Sequence, residues 1–191
     1  MLQSELPMME RLLIAILAAA MVLAEKAEIT ALTIREERGQ VLVSFQVENG
    51  WSEELQARLN SGLPTGFVFE IELKRDRKRW WDAHLESCRL ERIAMFNAVT
   101  GEYLLNTKRD GRLLGSQVVR NPEELRQELT RVSGWPAFAV PQLPARARYL
   151  VRVRMELEPG EFLGFLPYER TSSWVESNKL RSLGPQSQDR P

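Results

Sequence analysis

A chain of 191 residues that is 43% hydrophobic has the length and apolar content for one packed domain. Its 26 positive and 26 negative side chains cancel, which excludes a bulk polyanion binder and a strongly acidic disordered chain. A single cysteine, Cys88, excludes an intrachain disulfide, so the domain must hold together by packing alone.

The first element is an uncharged run from Leu12 to Ala24 that lacks Gly and Pro. It is shorter than the roughly 20 apolar residues that span a bilayer as a helix. It matches a signal-peptide core ending in the small-residue pattern Val22-x-Ala24, with cleavage expected after Ala24. The lead before it carries Glu5 and Glu10 against Arg11, so it is not clearly positive; initiation at Met8 or Met9 would drop Glu5. The competing assignments are an uncleaved anchor and a buried core helix. No cysteine follows the cut, which disfavours a lipid-anchored lipoprotein. The expected organisation is a signal peptide over 1–24, one domain over 25–178 and a disordered tail over 179–191. The expected location after export is the periplasm, with release from the cell as the alternative, since signal cleavage does not choose between them.

Period-two alternation dominates the rest of the chain. Ile29–Arg35 reads as a first, weaker strand. In the next, Val41, Val43, Phe45 and Val47 share one face, with Ser44, Gln46 and Glu48 on the other. Ser52 caps a short helix over Glu53–Asn60, which Gly62-Leu-Pro64 stops. Phe67, Phe69, Ile71 and Leu73 alternate with Glu70, Glu72 and Lys74. Leu85–Ala98, Glu102–Thr107 and Leu113–Val119 are further strands, the last two joined by an Asp110-Gly111 turn. Asn121-Pro-Glu-Glu124 starts a second helix, with Leu125, Leu129 and Val132 as its apolar stripe and Gly134 as its end. Trp135–Pro144 is a Pro-rich connection, and Tyr149–Leu157 is a strongly alternating last strand. Seven or eight strands with one wet face each predict a mainly β fold, an antiparallel β-sandwich with two short helices.

The string Ser61-Gly-Leu-Pro-Thr-Gly-Phe-Val-Phe-Glu-Ile-Glu-Leu73, followed by Arg77-Lys-Arg-Trp-Trp-Asp82, resembles the bacterial DUF4390 family, a domain of unknown function. Ala31-Leu-Thr-Ile34, Gly101-Glu-Tyr-Leu-Leu105 and the Asn121-Pro-Glu-Glu-Leu125 helix start extend the resemblance over nearly all of the mature chain. The resemblance implies an exported protein and carries no catalytic residue, ligand or cofactor with it. It also implies a neighbourhood of membrane sensor kinases of the nitrogen-regulation type.

The candidate interaction site is Lys74-Arg75-Asp76-Arg77-Lys78-Arg79 followed by Trp80 and Trp81. Arg75, Arg77, Lys78 and Arg79 supply charge and the tryptophans supply rings suited to a membrane interface. The plain alternative is a solubilised hairpin tip with a tryptophan in the core. Arg148, Arg152 and Arg154 share an outward face, either as an anion stripe or paired with Glu70 and Glu72. His84 and Cys88 are too few for a metal site and, four apart on a strand, about 13 Å from each other. Phe162–Pro167 and Trp135–Pro141 plug the core ends or form a docking patch. No nucleophile elbow, phosphate loop or dinucleotide fingerprint occurs. The leading expectation is a non-enzymatic envelope binding or adaptor module with a protein partner, without cofactor or metal. The alternatives are a domain that touches anionic lipid through Lys74–Trp81 and a hydrolase with a carboxylate pair. Nucleic acid is not expected as a partner.

Overall fold

The computed structural model describes residues 27–77, 82–157 and 171–182. The signal segment with Ala24, the hairpin tip with Lys78, Arg79, Trp80 and Trp81, the Phe162–Pro167 run and residues 183–191 lie outside them.

The alternating segments become antiparallel strands. Strands β1 (Glu28–Glu37), β2 (Gln40–Glu48) and β7 (Arg131–Ala139) form a three-stranded sheet in the order β1-β2-β7. The larger sheet runs β10-β8-β3-β4-β5-β6, with β9 also beside β8. Its members are β3 (Thr65–Asp76), β4 (Ala83–Asn97), β5 (Glu102–Arg109), β6 (Arg112–Val119), β8 (Arg148–Leu157), β9 (Val175–Glu176) and β10 (Leu180–Arg181). The two sheets pack as the expected sandwich. Val41, Val43, Phe45 and Val47 face Phe67, Phe69, Ile71 and Leu73, and all eight are buried. Phe45 meets Phe69 edge to face at 4.8 Å.

Helix α1 (Glu53–Asn60) is capped by Ser52, whose Oγ accepts from Leu55 N at 3.1 Å. Helix α2 (Pro122–Thr130) is capped by Asn121, whose Oδ1 accepts from Glu123 N at 2.8 Å. Leu125 and Leu129 are buried as predicted, but α2 ends at Thr130. Val132 and Gly134 belong to β7, where Val132 pairs with Phe45. Their spacing fits a helical stripe, yet β2 needs a second neighbour, and that demand wins over periodicity. The expected connection after Trp135 is likewise strand up to Ala139. Pro136 is tolerated there because β7 is an edge strand with register shifts on either side of Leu42.

Side chains close the gaps between the sheets. Asn178 accepts from Ile34 N at 2.8 Å and donates to Ile34 O at 3.2 Å, imitating a strand along β1. Arg109 donates to Pro136 O at 3.2 Å and Ala137 O at 2.6 Å. Arg92 donates to Arg131 O at 2.8 Å and to Glu128 O, satisfying carbonyls at the end of α2. Residues 171–182 run beside β8, with Ser172 and Ser177 hydroxyls accepting from Met155 N and Val151 N. β10 begins one residue inside the 179–191 segment expected as tail, and Ser182 is buried.

Two glycines of the Ser61–Leu73 string have separate duties. Gly62 takes φ +81, closing α1 where a side chain would be strained. Gly66 lets β3 approach β4: a Cβ there would fall 2.0 Å from Arg92 O. Because that obstacle is backbone, Gly66→Ala should destabilise the domain by about 3 kcal/mol. A urea midpoint unchanged from wild type would show that the strands can separate freely at this point.

Candidate functional site

The strand registers decide which charges meet. Arg75 lies opposite Ala83 and Tyr149, Asp76 opposite Arg148, and Arg148 opposite Arg181. The β1–β2 turn with Arg38 joins this end, because Val140 N donates to Gly39 O at 3.0 Å. The β7–β8 loop with Arg146 joins it too, through Arg146 N to Ser182 O at 3.1 Å. One end of the sandwich therefore gathers Arg38, Arg75, Arg77, Arg146, Arg148, Lys179 and Arg181 from four chain segments.

Asp76 anchors this end. Its side chain is 9% exposed and meets Arg148 Nη2 at 2.9 Å and Lys179 Nζ at 3.2 Å. Asp82 braces the hairpin by accepting from Arg77 N at 3.1 Å. Arg38, Arg75, Arg77, Arg146 and Arg181 have no ion-pair partner among the described residues. Burying an unpaired cation would be expensive, and Arg38, Arg77, Arg146 and Arg181 are all exposed. The opposite end is rich in carboxylates, with Glu28 and Glu48 on the paired ends of β1 and β2, and Glu123 and Glu124 in the first turn of α2.

Of the candidate interaction residues, Arg75 and Arg77 fall on this surface, joined by Arg148 of the outward arginine stripe, while Lys78, Arg79, Trp80 and Trp81 are outside the described residues. Arg38, Arg146, Arg148, Lys179 and Arg181 were missed as members of one surface. No local pattern links them, and only the register does.

Arg152 and Arg154 take the paired alternative. Arg152 Nε donates to Glu72 at 2.7 Å and Arg154 Nε to Glu70 at 2.5 Å. Both guanidiniums also lie over Trp174, at 4.2 and 4.8 Å from its centroid. Arg154 holds the Glu70 carboxyl below the usual range. Partial burial and the neighbouring Glu70 raise Glu156 instead. This carboxyl pair sits on a sheet face within an ion-pair lattice that includes Arg89, 3.1 Å from Glu156.

His84 is exposed and Cys88 is buried, so the two do not share a face. The register shift that sets Leu73 opposite Glu86 and Lys74 opposite His84 leaves Leu85 as an extra residue, which breaks the simple alternation. No cluster of three metal-ligating side chains occurs among the described residues. A depression of about 580 Å3 at the β5–β6 tip is lined by Arg109, Asp110, Arg112, Leu113 and Leu114. It holds one carboxylate, so it does not supply the convergent pair a carboxylate hydrolase requires.

A family model for a domain of unknown function, DUF4390, matches residues 24–162. The chain belongs to the DUF4390 family. No curated protein and no solved structure matches it. The match takes in β1 to β8 of this DUF4390 protein, and the strands that cover β8, β9 and β10, follow it. Among the described residues no helix is long and apolar enough to cross a membrane.

Two chemical predictions follow from these environments. Burial pushes the Cys88 thiol up to about 12, so little reactive thiolate exists near neutral pH. Alkylation by iodoacetamide at pH 8 should be at least about a hundredfold slower in the folded protein than in urea; equal rates would place the thiol at the surface. A carboxyl raised on folding stabilises the fold in its protonated form, below its ordinary range, and that contribution is lost as pH rises through the raised value. Glu156→Gln should therefore gain stability over wild type at pH 7, with the difference disappearing near pH 4, as read from paired urea titrations. A Gln variant less stable at pH 7 would mean that the Arg89 contact outweighs the Glu70 repulsion.

Proposed function

We propose that this protein is an exported, non-enzymatic binding module of the bacterial cell envelope that docks through its basic end onto an acidic surface of a partner protein. The observation that carries the reading is the set of exposed arginines, Arg38, Arg77, Arg146 and Arg181, gathered from separate segments with no ion-pair partner among the described residues. A zero net charge distributed as a basic end and an acidic end favours oriented encounter with one partner over general adhesion. Glu36, Glu37, Asp76 and Asp82 lie among the cations, and such an interspersed pattern suits a folded acidic surface better than a plane of lipid headgroups. Export is supported by the Leu12–Ala24 run and its small-residue end, with the periplasm as the destination. The sensor-kinase neighbourhood that the family resemblance implies makes the outer part of such a kinase the first partner to try.

The test places a photo-crosslinking amino acid at position 77 or 146 of the full chain in bacterial cells, with position 99 at the opposite end as control. A discrete protein adduct from the basic end alone, lost on Arg38→Glu with Arg181→Glu, is the expected result. The same cells, fractionated, report whether the protein reaches the periplasm. Salt-sensitive co-sedimentation with anionic vesicles in place of a protein adduct would transfer the basic end to the lipid reading. Equal adducts from both ends would overturn the proposal.

A further inference from the structure

Among the described residues, one long strand edge receives no hydrogen bond from another segment. The outer edge of β8 is paired with residues 171–182, that of β1 is met at Ile34 by Asn178, and that of β7 at Arg131, Pro136 and Ala137 by Arg92 and Arg109. β6 has no such cover. Every residue from Arg112 to Val118 is exposed, and Leu113, Leu114 and Val118 are each about half accessible. Edge strands are usually blunted by charge, proline or shortness. Gly115-Ser-Gln-Val-Val119 has no charge and no proline, and a register shift at Leu114 confines regular pairing to this stretch.

The free hydrogen-bonding groups can be assigned. Asp110 and Gly111 take φ +50 and +77, a two-residue turn closed by Arg109 and Arg112 as a hydrogen-bonded pair. Alternation makes Leu105 with Gln117, and Tyr103 with Val119, hydrogen-bonded pairs as well. From the other side, Asp110 N donates to Arg89 O of β4 at 2.9 Å, which fits the same alternation. Ser116 and Val118 therefore turn their N–H and C=O groups to the open edge.

We propose that β6 is a self-association strand, pairing antiparallel with β6 of a second copy about a twofold axis through Gln117. In this register Ser116 of each copy exchanges hydrogen bonds with Val118 of the other. The outer face supports the same occupant. Met95, Leu104 and Val118 lie side by side on β4, β5 and β6, forming an apolar row that stops at the open edge. The twofold mate brings an equivalent row to the other side of the seam. The charges also agree. Arg112 has no ion-pair partner among the described residues, and antiparallel pairing carries this tip toward the far end of the copy's β6, beyond which α2 opens with Glu123 and Glu124. The surface is separate from the arginines of the basic end, so either proposal can fail without the other.

The full chain, expressed in bacteria and purified, is measured by light scattering across concentration. Wild type should give twice the chain mass at roughly 100 µM and dissociate on dilution. Ser116→Pro removes one outward N–H, and Val118→Lys sets a charge in the seam; both should be monomers with an unchanged circular dichroism spectrum. Gln117→Cys should form an interchain disulfide in air, because the axis places its two copies at non-hydrogen-bonded spacing, about 4.5 Å between Cα atoms. Arg112→Glu should weaken the dimer about tenfold, and Glu123→Arg with Glu124→Arg should restore it. A wild-type monomer throughout this range would overturn the proposal. So would a dimer that Gln117→Cys fails to trap, since it would use another face.

Discussion

A three-stranded sheet has two edges and only one interior strand, and the architecture turns on how those edges are satisfied. Backbone groups along β1 and β7 cannot be left dry and unpaired, because each would cost about 1–3 kcal/mol. The larger sheet answers with side chains. Asn178 offers β1 both a donor and an acceptor, and two arginines reach carbonyls along β7 and at its junction with α2. These contacts hold the two sheets at a fixed angle and so fix where the turns at each end emerge. The grouping of cations at one end is a by-product of that closure.

Arg92 shows how such a contact constrains the chain around it. Its side chain is 17% exposed, and desolvation lowers its pKa while Glu128 opposes the shift. It stays in place because it reaches the carbonyls where α2 gives way to β7. The same stretch of β4 presses on Gly66, whose missing side chain makes room for the Arg92 carbonyl. One residue thus uses its backbone against β3 and its head group against the helix end. The Gly-Leu-Pro-Thr-Gly string is the sequence trace of this crowding.

Much of the fold was legible because it is local. Alternation at Val41–Val47, Phe67–Leu73 and Tyr149–Leu157 names a buried face directly, and Ser52 and Asn121 announce helix starts by cap chemistry. The pairing of Arg152 and Arg154 with Glu72 and Glu70 was readable once the strands were known to face each other. What was hidden depends on distant partners. Leu125, Leu129 and Val132 keep helical spacing across a point where the chain turns into strand, and nothing local marks the change. The surface built from Arg38, Arg75, Arg77, Arg146 and Arg181 has no sequence motif, since its members meet only through register. β6 is ordinary in sequence; its exposure arises because the opposing three-stranded sheet is too narrow to cover it.

Residues 171–182 are made after every other described strand, yet they complete β8 and hold β1. Without them β8 has one bare side and the seam at Ile34 stands open. The Ile34–Asn178 contact spans 144 residues of chain, so closing it before the intervening strands have paired would cost loop entropy with little in return. The fastening of β1 therefore depends on the part of the described chain farthest from it in sequence.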